Sequence, residues 1–218
     1  MNKNLFKIVE AYAVVLSEVS GAIIYLLYLS AALFSGMMTQ LLMVVFEPSI
    51  TVILLVILIF GTSFTAASLS VAIISRMSVT LELFKATERK TRLKSEYVEF
   101  PLWVFAFLFA SLVSSLLIPA EPYALRIAVM VGLGVSLGNM ITFLWGLLAT
   151  RRVDPRPLFV SFYLLLTLPS YTLLPGEYYP YILNSIHLTF SYFVAAVWYI
   201  FSARRKALGI LHAAREEN

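Results

Sequence analysis

The apolar residues of this chain are gathered in long blocks and not along one face of each helix, so the medium around those blocks must be lipid. The bulk numbers agree. Hydrophobic residues fill 61% of 218 positions and charged residues only 13%, where a soluble domain carries about a quarter charged; mean hydropathy is +0.89. At about 20 apolar residues per crossing, little chain is left for a soluble domain. The reading is an all-α, polytopic integral membrane protein forming a single membrane domain over residues 1–218.

Six blocks can be separated. Residues 1–10 are polar and weakly amphipathic, and the first span covers about 11–35. A signal peptide is the rival reading of this end, but Glu10 and Glu18 interrupt any apolar core and the stretch is long enough to span. A short outer connection, 36–48, leads to a second span at 49–75. The sizeable polar segment follows, 76–100, then spans at 101–119 and 127–150 joined by the tight turn AEPYALR. The fourth span contains Gly134-Val-Ser-Leu-Gly138, a small-xxx-small spacing that lets another helix come close. The basic loop RRVDPRP precedes a fifth span at 158–174, and the sixth is expected at 186–203. Pro169, Pro175 and Pro180 punctuate the outer segment 169–185, which leaves a re-entrant path open there. A short charged helical piece closes the chain.

Orientation follows from the basic residues. With the N-terminus inside, 15 of the 16 Lys and Arg fall on the cytoplasmic side and only Arg126 faces out. That asymmetry predicts six transmembrane helices, both termini cytoplasmic, in the cell (plasma) membrane. The net charge of +4 is therefore a topology signal; it predicts membrane lipids as neighbours and no nucleic acid.

Side chains that could carry chemistry are few. With no cysteine, there is no disulfide framework, thiolate metal site or cysteine nucleophile. No His/Asp metal cluster, paired acid dyad or Ser/His/Asp set falls within the expected spans, so no metal, no cofactor and no enzymatic activity are expected. There is also no phosphate-binding G-x-x-x-x-G-K-[ST] loop. Glu18 is the sharpest intramembrane residue, because an acid at mid-helix costs about 2.5–3.5 kcal/mol on insertion scales. It can bind a cation, carry a proton or line a route; alternatively it is protonated, or hydrogen-bonded to Ser17, Ser20 or another helix near the inner interface. Asn139 in the fourth span is a second intramembrane pathway candidate. Pro175 and His187 are outer gate candidates, His187 either as a pH-sensitive group or as a structural one. The aromatic clusters (Trp103, Phe105, Phe107 and Phe109; Tyr178, Tyr179 and Tyr181; Trp198 and Tyr199) mostly suit interfacial belts and lipid-facing surfaces.

The segment between spans two and three reads Ser75-Arg76-Met77-Ser78-Val79-Thr80-Leu81-Glu82-Leu83-Phe84-Lys85-Ala86-Thr87. It resembles the first cytoplasmic loop of ATP-binding-cassette permeases of the type-2 export family. There the second span ends in Glu-Arg, Gly-Thr-Leu-Glu follows after two residues, and then come apolar residues and Ala-Thr-Pro. Arg76, Thr80-Leu81-Glu82-Leu83 and Ala86-Thr87 match in register, while Ser75, Val79 and Glu88 replace the family's Glu, Gly and Pro. Six spans with both termini inside is that family's usual layout, and Leu188-Thr189-Phe190 fits its lead into the last span, with His187 where proline stands.

The resemblance implies a permease subunit of an ATP-driven exporter, itself no enzyme. Its implied partners are an ATP-binding-cassette ATPase subunit and a second permease, as homodimer or heterodimer. Arg76, Thr80, Leu81, Glu82, Leu83, Phe84, Ala86 and Thr87 would make the ATPase-coupling contact. From the residues alone, Thr80 or Ser78 can cap a short helix with Glu82 in its first turn. A basic loop lying on anionic headgroups through Lys85, Arg89, Lys90, Arg92 and Lys94 is the other reading. Two further functions stay open: an ATPase-independent transporter or channel that uses Glu18, and a structural component of a membrane complex.

Overall fold

The structure is a computed structural model that describes residues 3–46, 89–119, 123–150, 153–173 and 179–216, with positions 51, 52, 54, 55, 58, 59, 61–63, 65–67, 69, 70 and 73 of the second expected span. Five helices and one 3₁₀ turn account for nearly all of it: α1 (Lys3–Val45), α2 (Arg89–Leu117), α3 (Tyr123–Thr150), α4 (Pro155–Thr167), the turn Leu168–Thr172, and α5 (Tyr179–Glu216). The described positions between 51 and 73 are helical too, and no strand occurs among the described residues. Among the described residues, three stretches are long and apolar enough to cross a membrane, Ala11–Thr39, Ala124–Leu148 and Tyr179–Ala213, and Pro101–Leu117 is a shorter apolar helix. The chain is thus all-helical, with the apolar helices of a membrane protein.

α1 runs past Ser35 to Val45, through most of the expected outer connection. Nothing in that stretch breaks it: Gly36 is the one weak helix former, and the first proline is Pro48. Four of its hydroxyls are also satisfied without water. Ser20, Ser30, Ser35 and Thr39 each donate to the carbonyl four residues earlier, at 2.7–2.8 Å, which removes the cost of placing a polar group in hydrocarbon. Thr62 and Ser70 do the same at 2.8 and 2.9 Å.

The chain divides into two compact units, residues Met1–Ala86 with Phe193–Asn218, and residues Thr87–Tyr192. In the first, α1 buries one stripe, Ala11, Glu18, Ala22, Tyr25 and Leu29, spaced at three, four and seven residues. The part of α5 that belongs to this unit, from Phe193 onward, buries Ala195, Ala196 and Ala203. The two helices run antiparallel. Glu18 meets Lys206, a Cβ on Gly21 would fall within the Tyr199 ring, and the Tyr25 and Tyr199 rings lie 5.5 Å apart.

In the second unit α3 is the hub, packing against α2, α4 and the 3₁₀ turn. α2 is continuous from the charged stretch 89–100 through Pro101 to Leu117. Its Trp103 and Phe107 rings cover Gly138 and Gly134 of α3, so the expected small-xxx-small site holds aromatic side chains and not a bare backbone crossing. This revises the reading of that aromatic cluster as interfacial or lipid-facing. Trp103 and Phe107 pack inward, and Trp103 Nε1 donates to Thr142 Oγ1 at 3.0 Å; only Phe105 and Phe109 are exposed.

α4 begins at Pro155, inside the expected basic loop, because Asp154 caps it. The Asp154 carboxylate accepts from the Arg156 backbone N–H at 3.1 Å and from Arg156 Nε at 2.5 Å, with Pro155 at the first helical position. After Thr167 the helix tightens. Pro169 has no N–H to give, and Thr167, Ser170 and Thr172 donate to carbonyls three residues back at 3.0, 2.6 and 2.8 Å. Arg126, the basic residue expected to face out, donates to the Ser115 carbonyl at 3.0 Å, where the last turn of α2 has an acceptor to spare.

Candidate functional site

The sequence candidates separate into three groups. Arg76, Thr80, Leu81, Glu82, Leu83, Phe84, Ala86, Thr87 and Pro175 lie outside the described residues. Glu18 belongs to the first unit, and Asn139 and His187 belong to the second.

Glu18 projects from the buried stripe of α1 and is 7% exposed. Its carboxylate accepts from Lys206 Nζ of α5. Ser20, one of the partners considered for it, instead donates to the Leu16 carbonyl. The partner is therefore a lysine 188 residues away in sequence. The pair is asymmetric: the Glu18 side chain is 9% exposed and that of Lys206 53%, so the acid is seated between helices while the lysine reaches to it from the medium.

Asn139 and His187 are parts of one polar spine in the second unit. α3 presents Gly132, Ser136 and Asn139 at spacings of four and three residues, hence on one face. Nearest the start of α3, Tyr171 OH donates to Asn184 Oδ1 at 2.9 Å, and both atoms lie over Gly132, where a Cβ would meet them at 3.1 and 3.4 Å. Ser136 Oγ donates to the Ser161 carbonyl at 2.9 Å and lies 3.1 Å from the Ser161 hydroxyl. Asn139 Nδ2 donates to the Val135 carbonyl at 2.9 Å and to Tyr192 OH at 3.2 Å.

His187 is held at both ring nitrogens, Nδ1 by Tyr163 OH at 2.9 Å and Nε2 by Ser170 Oγ at 3.1 Å. The proton positions follow. Ser170 spends its hydrogen on the Thr167 carbonyl, so it accepts from His187, which places the hydrogen of the neutral ring on Nε2. Nδ1 is then the acceptor for the Tyr163 hydroxyl. Rings close the cage: Tyr171 lies 6.1 Å from His187 and Phe190 lies 5.2 Å from Tyr163.

Every buried side-chain nitrogen and oxygen among the described residues has a partner. A spine satisfied in this way joins helices, which is what polar residues do where lipid supplies no competing donors. No three His, Cys, Asp or Glu side chains converge among the described residues. Sequence reading missed Tyr163, Ser170, Tyr171, Asn184 and Lys206. The spacing of Asn184, His187 and Ser191 on α5 carried a readable signal for one polar face. No pattern within α1 points to Lys206. Comparison of the chain with family models, with curated proteins and with solved structures gives no match.

Proposed function

We propose that this chain is the membrane-spanning permease subunit of an ATP-driven export transporter, powered by a separate ATP-binding-cassette subunit and paired with a second permease in the cell membrane. The observation that carries the proposal is the loop Arg76 to Thr87, whose Arg, Thr-Leu-Glu-Leu and Ala-Thr fall in the register of type-2 export permeases. Two features support it. The antiparallel contact of α1 with the C-terminal half of α5 suits an even number of crossings with both ends on one side. α4 and the 3₁₀ turn together reach about 30 Å at 1.5 and 2.0 Å per residue. That matches the hydrocarbon thickness, so a fifth crossing is available although the α-helical part alone is too short.

The test is affinity purification of the tagged full chain in mild detergent from its native host, followed by mass spectrometry. A stoichiometric ATP-binding-cassette subunit is expected, lost in Leu83→Asp and Glu82→Lys. A clean preparation without any ATPase overturns the proposal and leaves the ATPase-independent transporter as the reading to pursue.

A further inference from the structure

The charges of α1 and α5 are distributed in matching ways. From Val19 to Phe46 the chain has no charged residue, and from Tyr178 to Ala203 it has none either. The first stretch is bounded by Glu18 and Glu47, the second by Glu177 and Arg204-Arg205-Lys206. Glu18 and Lys206, which close the two stretches at the same end, are bonded to each other. Measured from that pair, Val19–Val45 rises about 40 Å and Tyr179–Ala203 about 37 Å, at 1.5 Å per residue. Two antiparallel helices thus carry charge-free lengths of nearly equal reach, each enough to cross a ~30 Å hydrocarbon layer with modest tilt. Starting the first span at Ala11 instead would put Glu18 inside the hydrocarbon and carry the apolar length of α1 to about 52 Å.

We propose that the Glu18–Lys206 pair is an interfacial clasp. It lies at the headgroup level on the side where both termini emerge, and it ties the first helix to the last at the point where each leaves the bilayer. The membrane begins at Val19 of α1 and ends at Ala203 of α5. Residues 3–17 and 207–216 continue as helix beyond it, in water. The asymmetry of the pair fits this level: Glu18 is screened by the neighbouring helix, while half-exposed Lys206 and exposed Arg204 and Arg205 face the layer where phospholipid phosphates lie. The proposal does not rest on the permease reading, because it uses only the two helices and their charges.

The native chain has no cysteine, so single cysteines can be introduced directly and labelled with a membrane-impermeant maleimide in permeabilised membranes. The informative positions are side chains that the protein itself leaves exposed, so that only lipid can protect them: Val9, Tyr12, Leu208 and Leu211 beyond the clasp, and Leu26, Phe34, Phe193 and Ile200 within it. The first four should label and the second four should not. Protection of Tyr12→Cys equal to that of Leu26→Cys, or labelling of Ile200→Cys, overturns the boundary. The tie is tested separately on Ile200→Cys. Glu18→Lys and Lys206→Glu should each open it to labelling, and the double exchange should protect it again. Where a single reversal does not reach the membrane, Glu18→Gln and Lys206→Gln give the same reading. Unchanged protection in all single variants, or a double exchange no better than either reversal, overturns the clasp.

Discussion

Gly138 and Gly134 decide how α2 can lie against α3, and the reason is steric. A Cβ at Gly134 would stand 2.7 Å from Phe107 Cδ1, and one at Gly138 would enter the Trp103 ring system. The indole cannot easily move aside, because Trp103 Nε1 is bonded to Thr142. Overpacking of this kind costs about 1–3 kcal/mol, which outweighs the ~1 kcal/mol of helix propensity that alanine brings. Gly138→Ala should therefore lower the thermal midpoint in mild detergent. Gly209→Ala, at a helical glycine with open space around it, should leave the midpoint unchanged or raise it. The Glu18–Lys206 bond belongs to the same scale. Removing one partner of a fully buried pair costs roughly 3–5 kcal/mol, but Lys206 is 53% exposed. Screening brings the expectation for this pair down to about 1–3 kcal/mol.

Among the elements, the 3₁₀ turn Leu168–Thr172 depends most on side chains. It is attached to α5 by Tyr171 OH to Asn184 and by the Ser170–His187 contact, and those two α5 residues are three apart, on one face. Each bond is worth about 1 kcal/mol in a membrane setting. Asn184→Ala should therefore speed amide exchange of Ser170–Leu173 about fivefold in detergent-solubilised protein. Thr172→Ala should not, because that hydroxyl is exposed and reaches only the Pro169 carbonyl. Equal exchange in both variants would mean that the turn holds itself without α5. The helical core of this unit was partly legible beforehand, since spans at 101–119 and 127–150 follow from hydropathy alone. The start of α4 at Pro155 was not, because the Asp154 cap works against the reading of a basic, proline-containing loop.

For the molecule as a whole, the antiparallel run of α1 and the end of α5 suits the proposed layout with both termini on one side, and the asymmetry of the basic residues is the ground for proposing that this side is the cytoplasm. Reporter fusions at Met1 and at Asn218 should both be active on the cytoplasmic face and inactive as periplasmic or extracellular reporters. Opposite results at the two ends would require an odd number of crossings and would remove the layout on which the permease proposal depends. Fusion after Thr150 should also report the cytoplasm, whereas fusion after Pro119 should report the outside.

Composition and block length by themselves determined that this chain is helical and apolar enough for lipid, because each backbone group in hydrocarbon must be satisfied within its own segment. The one-sided distribution of Lys and Arg sets an expected orientation without any contact being known, and the reporter fusions are its test. Only the tertiary structure decided what the buried polar residues do. Glu18 could be singled out as costly, but its partner is 188 residues away, and no periodicity connects two charges that meet through antiparallel packing. His187 and Asn139 looked like isolated candidates, yet each is one link in a spine whose other members come from different helices. Distance along the chain hides such partners, while the requirement that a buried polar group find one is what brings them together.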